Sequence, residues 1–356
     1  MKKQKWTVLF MAAFFFGMTL LCWAKPSEEY SDQERRKLAQ FPELTMSNIL
    51  SGKFMSKFED YALDQFPARD GFMALSQVVS TTKDKNGLYE ADGHIVSMEY
   101  PMDEAGMERA AGIFKGIQEQ FAKDNNIYLA VIPDKNAFLG NENGYLAMDY
   151  EAFYEKMKQE TGFTYIDIAN LLELEDYYFT DGHWRQESIV DVAEKLAAEM
   201  GTSISGSYEV NTLEQPFYGA YYGQLATNLP ADEIKYLTNE TIEQMTTFDF
   251  QNNKEIDVYD MEKAFGKDAY EIFVSGPLSL ITIENPACKN GKELIIFRDS
   301  FGSSIAPLLA EGYEKVTLVD IRYIASKQVC QMIDFSDADV LFLYSTLVLN
   351  NAETLK

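Results

Sequence analysis

The amino-acid sequence predicts an α/β fold: a parallel sheet with helices on both faces, preceded by a helical N-terminal segment and interrupted by an inserted, cap-like region. Apolar runs of strand length recur at 127–132, 165–168, 294–297, 316–319 and 340–344. Amphipathic stretches lie between several of them, such as the one in which Ile189, Val192, Ala193, Leu196 and Met200 share one helical face. Strands that alternate with helices are joined by crossovers, so neighbouring strands run parallel and both faces of the sheet are buried. The 356 residues, 46% apolar and 24% charged, suffice for one large domain or two modest ones.

Taken in chain order, residues 1–24 read as a signal anchor. Lys2, Lys3 and Lys5 precede a stretch from Trp6 to Ala24 without a single charge, close to the roughly 20 apolar residues a membrane-crossing helix needs. Positive charge on the short N-terminal side keeps that side in the cytoplasm and places the rest of the chain outside the membrane. No clean A-x-A cleavage site follows, and the bulky Leu21 before Cys22 makes a poor lipidation box, so an uncleaved anchor is favoured.

Residues 25–90 read as a helical stalk or cap, with Phe54, Phe58, Tyr61 and Leu63 near helical spacing and Pro67 marking a bend. The α/β domain then spans 91–356. Ala91-Asp92-Gly93-His94-Ile95-Val96 predicts a hairpin with His94 half-exposed on it. Between about 201 and 288 the strand–helix rhythm breaks into Tyr- and Asn-rich sequence holding Tyr218, Tyr221, Tyr222, Phe248, Phe250 and Tyr259. This insertion of short strands and loops is either a cap that selects substrate or a structural extension. No internal repeat is present.

Charge and cysteine content narrow the function classes. A net charge of -25 with no basic stripe excludes phosphate-backbone binding, so no nucleic-acid partner is expected. Beyond Cys22 only Cys288 and Cys330 remain. They allow one disulfide at most, and buried core thiols are the expectation. Walker and dinucleotide-binding patterns are missing, and no organic cofactor is implied.

The residues that carry chemistry lie beyond the carboxyl ends of the strands, where ligands of open α/β sheets bind. His183 sits in Thr180-Asp181-Gly182-His183-Trp184, and it and His94 are the only histidines. Asp181 either orients the His183 imidazole or caps the helix that follows. Ser300 comes after the strand 294–297 and before Phe301-Gly302-Ser303-Ser304, the strand–turn–helix order that lifts a serine hydroxyl above a parallel sheet. The helix N-terminus there is expected to supply N–H groups to an oxyanion. A serine needs a base and the base needs a carboxylate, so Ser300, His183 and Asp181 together predict acyl transfer. Asp299 and Trp184, beside the nucleophile and the base, join the candidates for the oxyanion site or the substrate wall. A metal hydrolase built on Asp181 and His183 is the weaker alternative, because two histidines leave few ligands.

Tyr178-Phe179-Thr180-Asp181-Gly182-His183-Trp184, with Arg298-Asp299-Ser300-Phe301 and Val319-Asp320-Ile321-Arg322-Tyr323, resembles the DHHW protein family. The resemblance reaches upstream to Ser51-Gly52-Lys53-Phe54-Met55 and Asp64-Gln65-Phe66-Pro67-Ala68-Arg69-Asp70, covering nearly all of the chain after the anchor. That family is similar to the SGNH-like proteins that O-acetylate alginate. The resemblance implies an SGNH-like, flavodoxin-like sheet and an extracytoplasmic O-acetyltransferase or acetylesterase acting on a polysaccharide. Its partners would be a carbohydrate substrate, an acyl donor and a membrane acyl-transfer protein. It matches Asp181 and His183 to the Asp-x-His-Trp motif and Ser300 to the Asp-Ser nucleophile. Pro133-Asp134-Lys135 looks like the Pro-x-Lys turn of the alginate relatives, with Lys135 either stabilising negative charge or making a surface salt bridge. The chain departs from the family pattern at Gly182, where the name calls for His, and at Arg298, where SGNH enzymes carry Gly. The alternative is an inactive surface module of the same fold that binds glycan or a protein partner.

Overall fold

The computed structural model describes residues 2–31, 36–67, 69, 84–85, 87–140, 143–225 and 227–356. Two compact units are present, one of residues 1–86 with 222–228 and one of 87–221 with 229–356. In the first unit, helix α1 (Lys2–Ala24) spans 23 residues. Among the described residues no helix is long and apolar enough to cross a membrane. Helix α2 (Lys53–Asp64) gathers Phe54, Phe58 and Tyr61 on one side, with Phe54 and Phe58 stacked at 6.0 Å. The part of the expected stalk at 70–83, with the end of the Gln65–Asp70 motif, lies outside the described residues.

The second unit is built on an eight-stranded sheet. After a hairpin of β1 (Leu88–Ala91) and β2 (His94–Ser97), the strands are β3 (Ile127–Ile132), β4 (Thr164–Tyr165), β5 (Glu209–Thr212), β6 (Lys235–Thr238), β7 (Thr246–Asp249), β8 (Lys254–Ile256), β9 (Leu280–Glu284), β10 (Glu293–Arg298), β11 (Lys315–Val319) and β12 (Ala338–Ser345). In the sheet the order is β8-β7-β9-β11-β10-β12-β3-β4. From β11 to β4 neighbours are parallel, with Ile295 opposite both Thr317 and Val340, and Phe342 opposite Leu129. The remaining strands run antiparallel, β9 to β11 and β7 to both β9 and β8.

Side chains alternate across the sheet because successive Cβ atoms point to opposite faces. Leu294, Ile296, Leu341 and Leu343 pack on one face with helices α5 (Val190–Glu199) and α6 (Phe301–Leu309). Ile295, Phe297, Val340 and Phe342 pack on the other with α3 (Glu104–Phe121) and α4 (Tyr150–Thr161). Two-sided burial is why these strands read as unbroken apolar runs instead of alternating ones.

One sequence expectation needs correction here. The hairpin forms, with Asp92 and Gly93 at positive φ, but His94 is 2% exposed, not half-exposed. Strands β7, β8 and β9 come from the insertion and widen the sheet. β9 reads as a strand only when its partner β11 is known. Both Cys288 and Cys330 are free. Cys330 is buried as expected, which pushes its thiol up to about 12, whereas Cys288 is half-buried.

Candidate active site

The strands β3, β10 and β12 deliver their carboxyl ends to one place, and two carboxylates tie those ends together. Asp299, one residue past β10, accepts from the Ser345 N–H (2.8 Å) and hydroxyl (2.7 Å) at the end of β12, and from the Phe301 N–H (3.0 Å). Asp134, two residues past β3, accepts from Thr346 Oγ1 (2.7 Å), Tyr150 Oη (2.9 Å) and the Asn136 N–H (2.8 Å). Burial pushes the Asp134 carboxyl up to about 7, with Glu99 adding to the rise and the hydrogen bonds opposing it.

On this base Ser300 stands at the junction of β10 and α6, with a helical backbone (φ -64°, ψ -24°). His183 Nε2 lies 2.7 Å from Ser300 Oγ, and His183 Nδ1 lies 2.5 Å from Asp181 Oδ1. The three predicted residues, with Ser300 117 positions from His183, are therefore brought together in one hydrogen-bonded row. The imidazole lies flat on the Tyr270 ring, 3.9 Å between centroids and 12° between planes, and Phe301 meets it at 4.9 Å. Both ring nitrogens of His183 are engaged, Nδ1 by Asp181 and Nε2 by Ser300, so a metal would have to displace one of these contacts. Among the described residues no group of three or more His, Cys, Asp or Glu side chains is placed to hold one.

Asp181 caps no helix, since α5 begins at Val190. Its Oδ1 also accepts from the His183 N–H (3.0 Å), and its Oδ2 from the Ala220 N–H (2.8 Å). Burial opposes its ionisation. The His183 charge and these hydrogen bonds outweigh burial and hold the carboxyl well below the usual range. The turn that carries Asp181 is pinned by Asp232, which accepts from the N–H groups of Phe179 and Thr180 (both 2.8 Å) and from Thr180 Oγ1 (2.5 Å).

The other candidates take different places from those expected. Trp184 is fully buried and donates from Nε1 to Ser304 Oγ (2.8 Å) and the Phe301 carbonyl (3.2 Å). It ties the His183 turn to α6 and cannot line a substrate wall. Asp299 is also fully buried, with its carboxylate committed to Phe301 and Ser345, so it shapes the turn and faces no oxyanion. Lys135 makes no surface salt bridge. It is 2% exposed, and its Nζ donates to the carbonyls of Tyr178 (2.9 Å) and Phe179 (3.4 Å). Burial lowers its pKa to about 7 against the pull of Asp181, Asp232 and Asp134. The helix N-terminus is occupied as well. The N–H groups of Phe301, Gly302 and Ser303 go to Asp299 Oδ1, Asp299 O and Ser300 O, so they are not the open oxyanion donors expected of them.

Sequence reasoning missed Tyr270, Asp232, and Gly219 with Ala220. Only Gly219 carried a sequence signal, as a glycine among aromatics in Phe217-Tyr218-Gly219-Ala220-Tyr221. A Cβ there would collide with Asp181 and the Thr180 carbonyl, so no other residue lets this segment approach the Asp181 turn. A cavity of about 770 Å³, lined by Gln120 and Asp339 among others, lies where β3 and β12 begin, at the opposite end of the sheet.

A family model described as DHHW protein matches residues 134–319. A search of curated proteins finds no match. Among solved structures, a DHHW family protein from Eubacterium siraeum is similar at 23% identity and a TM-score of 0.62, over 76% of this chain and 95% of that one. Bacillus cereus PatB1 with a sulfonyl adduct is similar at 18% identity and 0.58, over 74% and 95%. The O-acetyltransferase domain of Pseudomonas putida AlgJ is similar at 12% identity and 0.45, over 74% and 92%. The protein shares its α/β fold with the first two of these structures, and with a family match over more than half of its length, it belongs to the DHHW family.

Proposed function

We propose that the protein is an extracytoplasmic serine-dependent acyl-ester enzyme, an O-acetyltransferase or acetylesterase acting on an exported or cell-surface polysaccharide. The observation that carries this is the row Asp181, His183, Ser300, with contacts of 2.5 and 2.7 Å. His183 Nε2 takes the Ser300 hydroxyl proton as Oγ attacks the acetyl carbonyl, and Asp181 holds the Nδ1–H tautomer and stabilises the imidazolium. Collapse of the tetrahedral intermediate breaks the ester bond, His183 protonates the departing alcohol, and the acetyl group rests on Ser300. A sugar hydroxyl or water then attacks, giving its proton to His183, and Ser300 is released. That PatB1 of similar fold exists with a sulfonyl adduct supports a fold that presents a reactive nucleophile.

In this proposal Lys2, Lys3, Lys5 and the uncharged stretch after them form an uncleaved anchor, 25–90 is a stalk or cap, and a membrane acyl-transfer protein supplies the donor. Resistance of the cell-associated protein to alkaline carbonate extraction is expected, and release into the supernatant would remove the anchor from the proposal. One observation favours the second reading, a surface module that binds glycan or protein without catalysis. The N–H groups of 301–303 are committed to Asp299 and Ser300, which leaves the oxyanion without its customary helix donors.

Fluorophosphonate labelling and aryl-acetate hydrolysis by the full chain, with Ser300→Ala and His183→Ala beside wild type, separate the two. The enzyme loses labelling and on the order of a thousandfold or more of its rate in both variants. A folded wild-type protein that neither labels nor turns over is the surface module.

A further inference from the structure

The residue between the carboxylate and the imidazole is Gly182, and its missing side chain has a substitute. A Cβ at 182 would sit 2.7 Å from Tyr221 Oη, 3.0 Å from Cζ and 3.2 Å from Cε2. Real Cβ atoms essentially never come within 3.0 Å of another heavy atom, so the tip of the Tyr221 ring rests directly on the Gly182 backbone. The contact is part of a three-residue clamp. Gly219 donates its N–H to Thr180 Oγ1 (2.9 Å), Ala220 donates to Asp181 Oδ2 (2.8 Å), and Tyr221 covers Gly182. Consecutive residues 219–221 thus meet consecutive residues 180–182. From the other side, Lys135 Nζ holds the carbonyls of Tyr178 and Phe179 and lies 5.7 Å from the Tyr221 ring centre. The phenol stays neutral. Burial raises its pKa well beyond the ordinary value, and the carboxylates of Asp181, Asp134 and Glu99 add to the rise.

We propose that Tyr221 is a positioning residue of the Asp181–His183–Ser300 row, its ring serving as the side chain that residue 182 lacks, so that Gly182 and Tyr221 form a matched pair. The backbone dihedrals of residue 182 set the angle between the Asp181 carboxylate and the His183 imidazole. A ring packed on that backbone leaves them one solution, as the 2.5 and 2.7 Å contacts of the row require. The proposal deepens the serine-enzyme reading and rests on it for its kinetic readout.

The test uses the full chain with Gly182→Ala, Tyr221→Ala, Tyr221→Phe and the double variant Gly182→Ala/Tyr221→Ala. Two quantities are read: kcat and KM for aryl-acetate hydrolysis, and the downfield proton resonance of His183 Nδ1–H. Only two histidines are present, so His183→Ala assigns that resonance. Each alanine variant is expected to lose about 10- to 100-fold in kcat with little change in KM, the usual consequence of displacing a reacting group by up to 1 Å. Tyr221→Phe, which keeps the ring, stays near wild type. The double variant is no worse than the poorer single one, because each change breaks the same contact. The resonance shifts or broadens in both single alanine variants. Losses that multiply in the double variant, or a resonance unmoved in both singles, would overturn the proposal. If wild type shows no serine reactivity, the enzyme reading fails separately and the resonance alone decides the role of Tyr221.

Discussion

Replacing Asp181 by Asn tests the row at its most buried member. The carboxylate now accepts three hydrogen bonds, two on Oδ1 from His183 and one on Oδ2 from Ala220. An amide has only one acceptor oxygen. With its NH2 toward His183, it donates to Nδ1, moves the imidazole proton to Nε2 and leaves that nitrogen unable to take the Ser300 proton; the His183 N–H then faces a donor. With its NH2 toward Ala220, the tautomer survives, but two donors meet at 220 and the charge that stabilises the imidazolium is gone. The wrong tautomer costs about ten-thousandfold in rate, about 5.4 kcal/mol at 1.36 kcal/mol per tenfold. A buried donor left facing a donor costs about 1–3 kcal/mol of stability. The assay is kcat/KM for an aryl acetate across pH, with urea unfolding of the same preparation. A loss on the order of a thousandfold or more in a folded variant is expected. Activity within tenfold of wild type would refute the assignment of Asp181 as the orienting carboxylate.

Two further outcomes follow from the surroundings of the row. Asp134 titrates near 7 when folded but at 3.8 in its ordinary state, so between those values the folded chain binds the extra proton and this group's stabilising contribution falls as pH rises. Asp134→Asn should remove that decline, and urea unfolding at pH 5 and pH 8 should show the variant gaining on wild type at the higher pH; an equal difference at both would sink the linkage. Gly219→Ala should destabilise by about 1–3 kcal/mol through overpacking against Asp181 and Thr180, with a fall in kcat; an unfolding midpoint and rate equal to wild type would show that the segment yields freely.

Much of the fold was legible because both faces of β3, β10 and β12 are buried, and burial writes itself into sequence as apolar runs of strand length. The paired motifs around His183 and Ser300 were legible because each stands just beyond a strand or turn with its own local signature. β9 was not, since an antiparallel strand inside a Tyr-rich insertion is defined by pairing with β11. Nor was the status of Lys135, Trp184 and Asp299. A charged or aromatic residue beside a reactive one reads equally as a wall, a surface group or a buried strut until its neighbours are in place.

By itself the sequence determined the fold class, the strand–turn–helix setting of Ser300, and the choice of His183 over His94, since these rest on periodicity and on residues close together in the chain. Tertiary structure alone decided that Asp181 faces His183 instead of capping a helix, that the N–H groups of 301–303 are spent within the turn, and that Tyr221 fills the place of a side chain at 182. The turn at 299–303 closes on itself, but the setting of Asp181 depends on Ala220 and that of Gly182 on Tyr221, each 39 residues away. Such contacts depend on the packing of the whole domain, and no local pattern of residues encodes them.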